Sequence, residues 1–126
     1  MKRYPILAAL CGLAVLSAGT GLASDADLTR LADRDAFGEA LIGARILDPE
    51  DSANFFVIQT DGTIAGSWSG RELAGEWRWD AGYFCRSLSA PRPAPEDCQE
   101  WWLGEGMVRL VRDRGAGATT DYALEK

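Results

Sequence analysis

This sequence predicts a mainly β (α+β) fold: an antiparallel meander of about seven short strands, strongly curved or closed into a small barrel, with one short N-terminal helix. Three observations carry that expectation. Leu73, Gly75, Trp77 and Trp79 alternate with Glu76 and Arg78, so the first four share one face of a strand and the charged residues take the other. Turn signals recur at close intervals: Thr60-Asp61-Gly62-Thr63, Ser69-Gly70-Arg71, Asp80-Ala81-Gly82, Gly104-Glu105-Gly106 and Arg114-Gly115-Ala116-Gly117. The connections are short, and sequential strands joined by short connections pair with their neighbours.

Taken in order, the chain opens with an export signal. Lys2 and Arg3 form a positive start, Ile6 to Leu16 is an apolar run, and Gly21-Leu22-Ala23 fits the small-x-small cleavage rule. Residues 1–23 therefore read as a secretory signal peptide, and the mature protein, residues 24–126, as periplasmic or secreted, with no stable membrane insertion after cleavage. The run falls short of the roughly 20 apolar residues a membrane span needs. Leu10 stands before Cys11 where lipid attachment would want a small residue.

Residues 24–53 read as a polar arm followed by a helix over about Asp35 to Ile42. Ala36, Phe37, Ala40 and Leu41 have helical spacing, with Asp33 or Asp35 as N-cap and Gly43 near the end. Asp48-Pro49-Glu50-Asp51 is a polar connection. Residues 54–126 form the β domain, with strands at Phe55–Gln59, Ile64–Trp68, Leu73–Trp79, Tyr83–Leu88, Cys98–Leu103, Met107–Val111 (reaching toward Asp113) and Asp121–Leu124. In Gly66-Ser67-Trp68 and Gly75-Glu76-Trp77 the glycine lets a strand bend and the tryptophan covers the bend.

Once the signal is removed, Cys85 and Cys98 remain, and an even pair in an exported chain reads as one disulfide. The enclosed stretch from Arg86 to Asp97 holds Pro91, Pro93 and Pro95 and reads as a loop between two strands. Chain-entropy reasoning puts closure of such a loop at about 3 kcal/mol. A redox pair is disfavoured because the two cysteines lack C-x-x-C spacing.

Composition removes several function classes. There is no histidine, hence no Ser-His-Asp or Cys-His site and no histidine-ligated metal. The balance is 13 basic against 19 acidic residues. Removing Lys2 and Arg3 leaves 11 basic against the same 19 acidic, net −8 for the mature chain, which speaks against nucleic acid and anionic lipid. Gly104-x-Gly106 and Gly115-x-Gly117 each lack the third glycine of a dinucleotide fingerprint. Thr60-Asp61-Gly62 alone is a turn and not a calcium loop. No cofactor and no metal site is expected.

Five tryptophans are many for so small a domain. Trp68, Trp77, Trp79, Trp101 and Trp102, with Tyr83 and Arg86, are the candidate ligand or partner surface; the competing reading makes the aromatics plain core. Trp101 and Trp102 are adjacent and on a strand must face opposite ways. Arg78, Arg86, Arg109, Arg112 and Arg114 are candidate carboxylate or phosphate clamps, set against cation–π stacking and ion pairs with Glu72, Glu76 and Glu100. The carboxylates Glu72, Glu76, Asp80, Asp97 and Glu100 read as a solvated face, without the spacing that would mark a hydrolytic pair.

The segment Gly75-Glu-Trp-Arg-Trp-Asp-Ala-Gly-Tyr-Phe-Cys-Arg, the later Cys98-Gln99 and the tail Arg112-Asp-Arg-Gly-Ala-Gly resemble a group of small exported bacterial one-disulfide proteins. Some of these carry the label dihydrodipicolinate reductase. The resemblance covers about residues 64–120, and Trp77, Trp79, Tyr83, Cys85, Arg86 and Cys98 match its pattern. The reductase itself uses a nicotinamide-binding Rossmann domain, a histidine and a lysine. The mature chain has no histidine, no G-x-G-x-x-G and only Lys126, so no catalytic residue carries over.

The expectation is an exported β-protein acting by binding in the cell envelope, with a small molecule or an envelope protein as partner and no catalysis. The alternatives are an inhibitor of an envelope or foreign hydrolase, which the acidic charge would suit although no lysozyme-inhibitor motif is present, and an enzyme of the labelled kind.

Overall fold

The computed structural model describes residues 27–126; the signal-peptide reading over 1–23 lies outside them. The elements are β1 (Thr29–Arg30), α1 (Arg34–Leu41), β2 (Arg45–Asp48), β3 (Asp51–Ile58), β4 (Thr63–Trp68), β5 (Arg71–Asp80), β6 (Tyr83–Ala90), β7 (Ala94–Gly104), β8 (Met107–Val111), a 3-10 turn (Asp113–Gly115) and β9 (Thr119–Glu125). Strands β2 to β9 form a closed antiparallel barrel of eight strands. β2 pairs with β9, and β7 pairs with β8 as well as β6, so no barrel strand is left with a free edge. The short β1 adds to β7 at Leu103 and Trp102.

The tight turns follow from local chemistry. Ser69-Gly70 and Ala81-Gly82 both have positive φ at the two central residues, the conformation that matches the twist of a two-residue hairpin. In α1, the Asp33 side chain accepts a hydrogen bond from the Ala36 amide at 3.1 Å and caps the helix. The helix starts and ends one residue earlier than its periodicity suggests. It closes one end of the barrel: Phe37 is fully buried, with its ring 5.1 Å from those of Trp79 and Phe84 and 5.8 Å from Trp101. The Gly43 amide then donates to the Ile58 carbonyl and ties the helix exit to β3.

Two strands escaped the sequence pattern. β2 is Arg-Ile-Leu-Asp, with Ile46 and Leu47 both buried, so it shows no alternation to read. β1 is only a residue pair recruited by β7. The expected loop from Arg86 to Asp97 is also corrected. β6 runs to Ala90 and β7 begins at Ala94, leaving only Pro91 to Pro93 as the turn. Pro95 is accommodated by a bulge: Arg86 faces Asp97 and Leu88 faces Ala94, so Pro95 and Glu96 together oppose Ser87. The expected continuation of β8 toward Asp113 does not occur, because Asp113 and Arg114 turn into positive φ.

The disulfide joins Cys85 to Cys98, which face each other directly across β6 and β7 with Cα atoms 3.9 Å apart. Gly66 and Gly75 stand where neighbouring strands approach most closely. A Cβ at Gly66 would collide with the Phe55 carbonyl and Phe56 Cα, and one at Gly75 with the Ser87 carbonyl and the Leu88 side chain. Glycine is therefore required at both positions by the close approach of the neighbouring strand, a reason different from the bend read in the sequence.

Candidate functional site

Alternation decides which side chains enter the barrel. At the helix end the inward residues are large and close-packed: Ile58, Trp77, Phe84 and Trp101 are buried around Phe37. Trp77 donates from Nε1 to the Gln59 carbonyl at 2.8 Å, which satisfies its one polar atom. At the other end the ladders are less regular. Three register irregularities, between Leu47 and Asp48, between Ala74 and Gly75, and between Arg86 and Leu88, all fall in that half of the barrel. The result is a cavity of about 450 Å³, open between the β6–β7 turn and the ends of β4 and β8.

Its floor is Phe84, Trp101 and Ile64, the upper surface of the layer that Phe37 supports from below. Its walls include Phe56, Leu73, Leu88, Leu110 and the rings of Trp68 and Tyr122, which meet edge to face at 6.2 Å. Pro91, Arg92 and Pro93 form a lip.

The charged residues lining this cavity are Arg86, Arg92 and Arg112. Arg86 projects inward from β6, and its Nη1 is buried with no hydrogen-bond acceptor among the described residues. Burial pushes its pKa below the usual arginine value, with the neighbouring Arg112 adding to the effect and the charges of Asp97 and Tyr122 opposing it. Its cross-strand neighbour Asp97 is engaged elsewhere. One Asp97 oxygen accepts from Gln99 Nε2 at 2.8 Å and Arg112 Nε at 3.2 Å, and the other accepts from the Asp113 amide at 2.9 Å. Burial opposes the charged form of Asp97, but these three donors outweigh it and hold the carboxyl below the usual range. Gln99, 2% exposed, is fixed at its other end by accepting from Trp101 Nε1 at 3.1 Å. Tyr122 is raised by burial, partly offset by Arg86 and Arg112, with Asp48 acting the opposite way.

Of the residues singled out from the sequence, the structure brings Trp68, Arg86 and Trp101 together in this cavity. Trp77 and Trp79 belong to the packed end, against Phe37. Tyr83 lies outside, between the Arg30 and Arg114 guanidinium groups at 5.2 and 4.9 Å. Trp101 and Trp102 do face opposite ways, with Trp101 buried and Trp102 half-buried beside Leu28, Glu100 and Arg109.

The arginines find partners other than those expected: Arg78 pairs with Glu96, Arg109 with Asp121, Arg112 with Asp97 and Arg114 with Asp80, while Glu100 pairs with Arg30. Sequence reasoning missed Phe56, Gln99, Leu110 and Tyr122. The inward parity of Gln99 and Tyr122 follows from their register with Phe84 and Val108, which no local pattern reveals. The Asp-Arg-Gly-Ala-Gly tail forms the β8–β9 connection, where a Cβ at Gly115 would strike the Glu100 carboxylate.

Cys85, Cys98 and Glu96 bring potential ligand atoms within 4.8 Å of one another, but both sulfurs are joined in the disulfide and neither offers a thiolate. No helix among the described residues is long and apolar enough to cross a membrane. Comparison of the chain with models of known protein families, with curated proteins and with solved structures finds no match.

Proposed function

We propose that this is an exported binding protein of the periplasm or extracellular space that holds a small, largely apolar molecule in the open end of its barrel. The observation that carries the reading is a 450 Å³ cavity walled by Trp68, Phe84, Trp101 and Tyr122 in a barrel whose other end is sealed. That volume lies in the range of small-molecule sites, which are concave, mostly apolar and equipped with a few placed polar groups. The n-region, apolar run and Gly21-Leu22-Ala23 of the sequence support export, and a disulfide is in keeping with an oxidising compartment. The resemblance to small exported one-disulfide proteins points the same way.

The test is a fluorescence titration of the mature protein with the neutral apolar dye N-phenylnaphthylamine. The expected result is saturable enhancement at one dye per chain, weakened about tenfold in Leu88→Trp, where added bulk enters the cavity wall. A folded protein that gives no saturable enhancement would overturn the reading.

A further inference from the structure

The cavity has a charge character opposite to that of the molecule that carries it. The chain is net −6, yet the charged residues lining the cavity are all arginines. The nearby carboxylate, Asp97, accepts from Gln99, Arg112 and the Asp113 amide and acts on Arg86 through charge without a hydrogen bond. Arg112 spends its Nε on that contact and stands at the mouth. Arg86 sits deeper, among Phe84, Leu88 and Gln99, with a buried Nη1 that has no acceptor among the described residues. Buried donors without acceptors cost free energy, and a buried guanidinium costs more than a neutral donor. An arginine held in this way is suited to an acceptor that arrives with the ligand.

From this we infer that the cavity selects an amphiphile with an anionic head, a single-chain or aromatic carboxylate, whose head group is received by Arg86 with Arg112 adding charge at the mouth and whose apolar part lies against Phe84, Trp101 and Trp68. The inference rests on the binding reading above and adds the ligand's charge. A carboxylate is planar and accepts two parallel N–H bonds from one guanidinium, which gives both geometry and charge. A neutral alcohol of the same shape would offer Arg86 one hydroxyl acceptor but neither the charge nor the second parallel acceptor of a carboxylate, and a cationic ligand would meet three arginines.

The experiment compares decanoate, 1-decanol and decyltrimethylammonium, each kept monomeric, as displacers of N-phenylnaphthylamine from the mature protein, its Arg86→Gln variant and its Arg112→Gln variant. Decanoate is expected to bind at least about tenfold more tightly than decanol to the natural protein, with the ammonium weakest. Arg86→Gln is expected to abolish the difference between acid and alcohol, and saturable dye binding by the variant, displaced by decanol, shows that it is folded, so that loss of folding is not mistaken for loss of recognition. Arg112→Gln is expected to reduce the preference without abolishing it.

Equal affinities for acid and alcohol, or a preference that survives Arg86→Gln, would overturn the inference while leaving the apolar cavity standing. Failure of the dye to bind at all would instead remove the binding reading beneath it.

Discussion

Arg86 occupies a position where stability and recognition pull in opposite directions. Its guanidinium is half-buried in an apolar wall, its Nη1 lacks an acceptor among the described residues, and the repulsion of Arg112 is set against the attraction of Asp97. Replacing it with an apolar side chain of similar length removes a desolvated donor and a like-charge neighbour. Arg86→Met is therefore expected to stabilise the unliganded protein by about 1 kcal/mol, raising Tm by about 4 °C or more in a domain of this size. Thermal unfolding followed by circular dichroism checks this. A destabilisation comparable to loss of a core side chain would mean that Arg86 is a structural residue and not one kept for a ligand. The sequence singled out Arg86 among five arginines through the pattern it shares with the resembled group, not through any sign that it lacks a hydrogen-bonded partner. Whether an arginine is partnered depends on which carboxylate it reaches: Asp97 stands directly across from Arg86 yet is bonded by Arg112, while Glu96, Asp121 and Asp80 reach their partners only through the strand register and the turns. Trp68 and Trp101 were legible as candidate ligand contacts, because large aromatics on the inward parity of a barrel either fill it or line it. Which of the two they do is set by Phe37, which comes from outside the strand pattern and fills one end only.

At the level of elements, turn chemistry and alternation were enough to place seven of the eight barrel strands on their observed positions, β7 with its start cut short, and the disulfide with them. Asp-Gly, Ser-Gly and Ala-Gly fix where the chain reverses, and Leu73, Trp77 and Phe84 fix which side faces in. What failed were the places where tertiary pairing overrides local preference. Arg45–Asp48 becomes a strand because β3 and β9 each offer it an edge. Ala94–Glu96 becomes a strand despite Pro95 because a bulge removes the need for the missing N–H. In the β8–β9 connection one partly buried carboxylate has a double role: Asp97 accepts from Arg112 Nε and from the Asp113 amide, and so holds both the mouth arginine and the start of the 3-10 turn. The folded-state pKa of Asp97 is depressed, so this stabilisation is fully present above the unfolded value of about 3.9 and is lost as pH falls through the lower folded value. The buried Gln99 side-chain amide, which donates to the same carboxylate, is a convenient reporter. Its NMR signals are expected to stay constant down to about pH 4 and then to move with a midpoint below 3.9. In Asp97→Asn that transition should vanish. A midpoint at or above the unperturbed value would show that burial outweighs the three donors.

Across the whole molecule, one barrel is built with two unlike ends. The helix end carries Phe37, Trp77, Trp79 and Phe84 in mutual ring contact and leaves no room for a guest. The far end carries the register irregularities, the Pro91–Pro93 lip and the arginines, and there the same fold leaves a hollow. The disulfide ties β6 to β7 just outside the wall that presents Arg86 and Gln99, so the strands that bear the polar groups of the cavity are covalently held in register. Such a division makes a specific demand on any ligand: it must be felt at the floor and wall of the hollow and not on the outer face, where Trp102 lies. The most direct measurement follows the tryptophan indole N–H signals of the nitrogen-labelled mature protein during titration with N-phenylnaphthylamine. The signals of Trp68 and Trp101 are expected to move and saturate together while that of Trp102 stays in place. Movement confined to Trp102, or saturation without any change at Trp68 and Trp101, would contradict binding in the hollow.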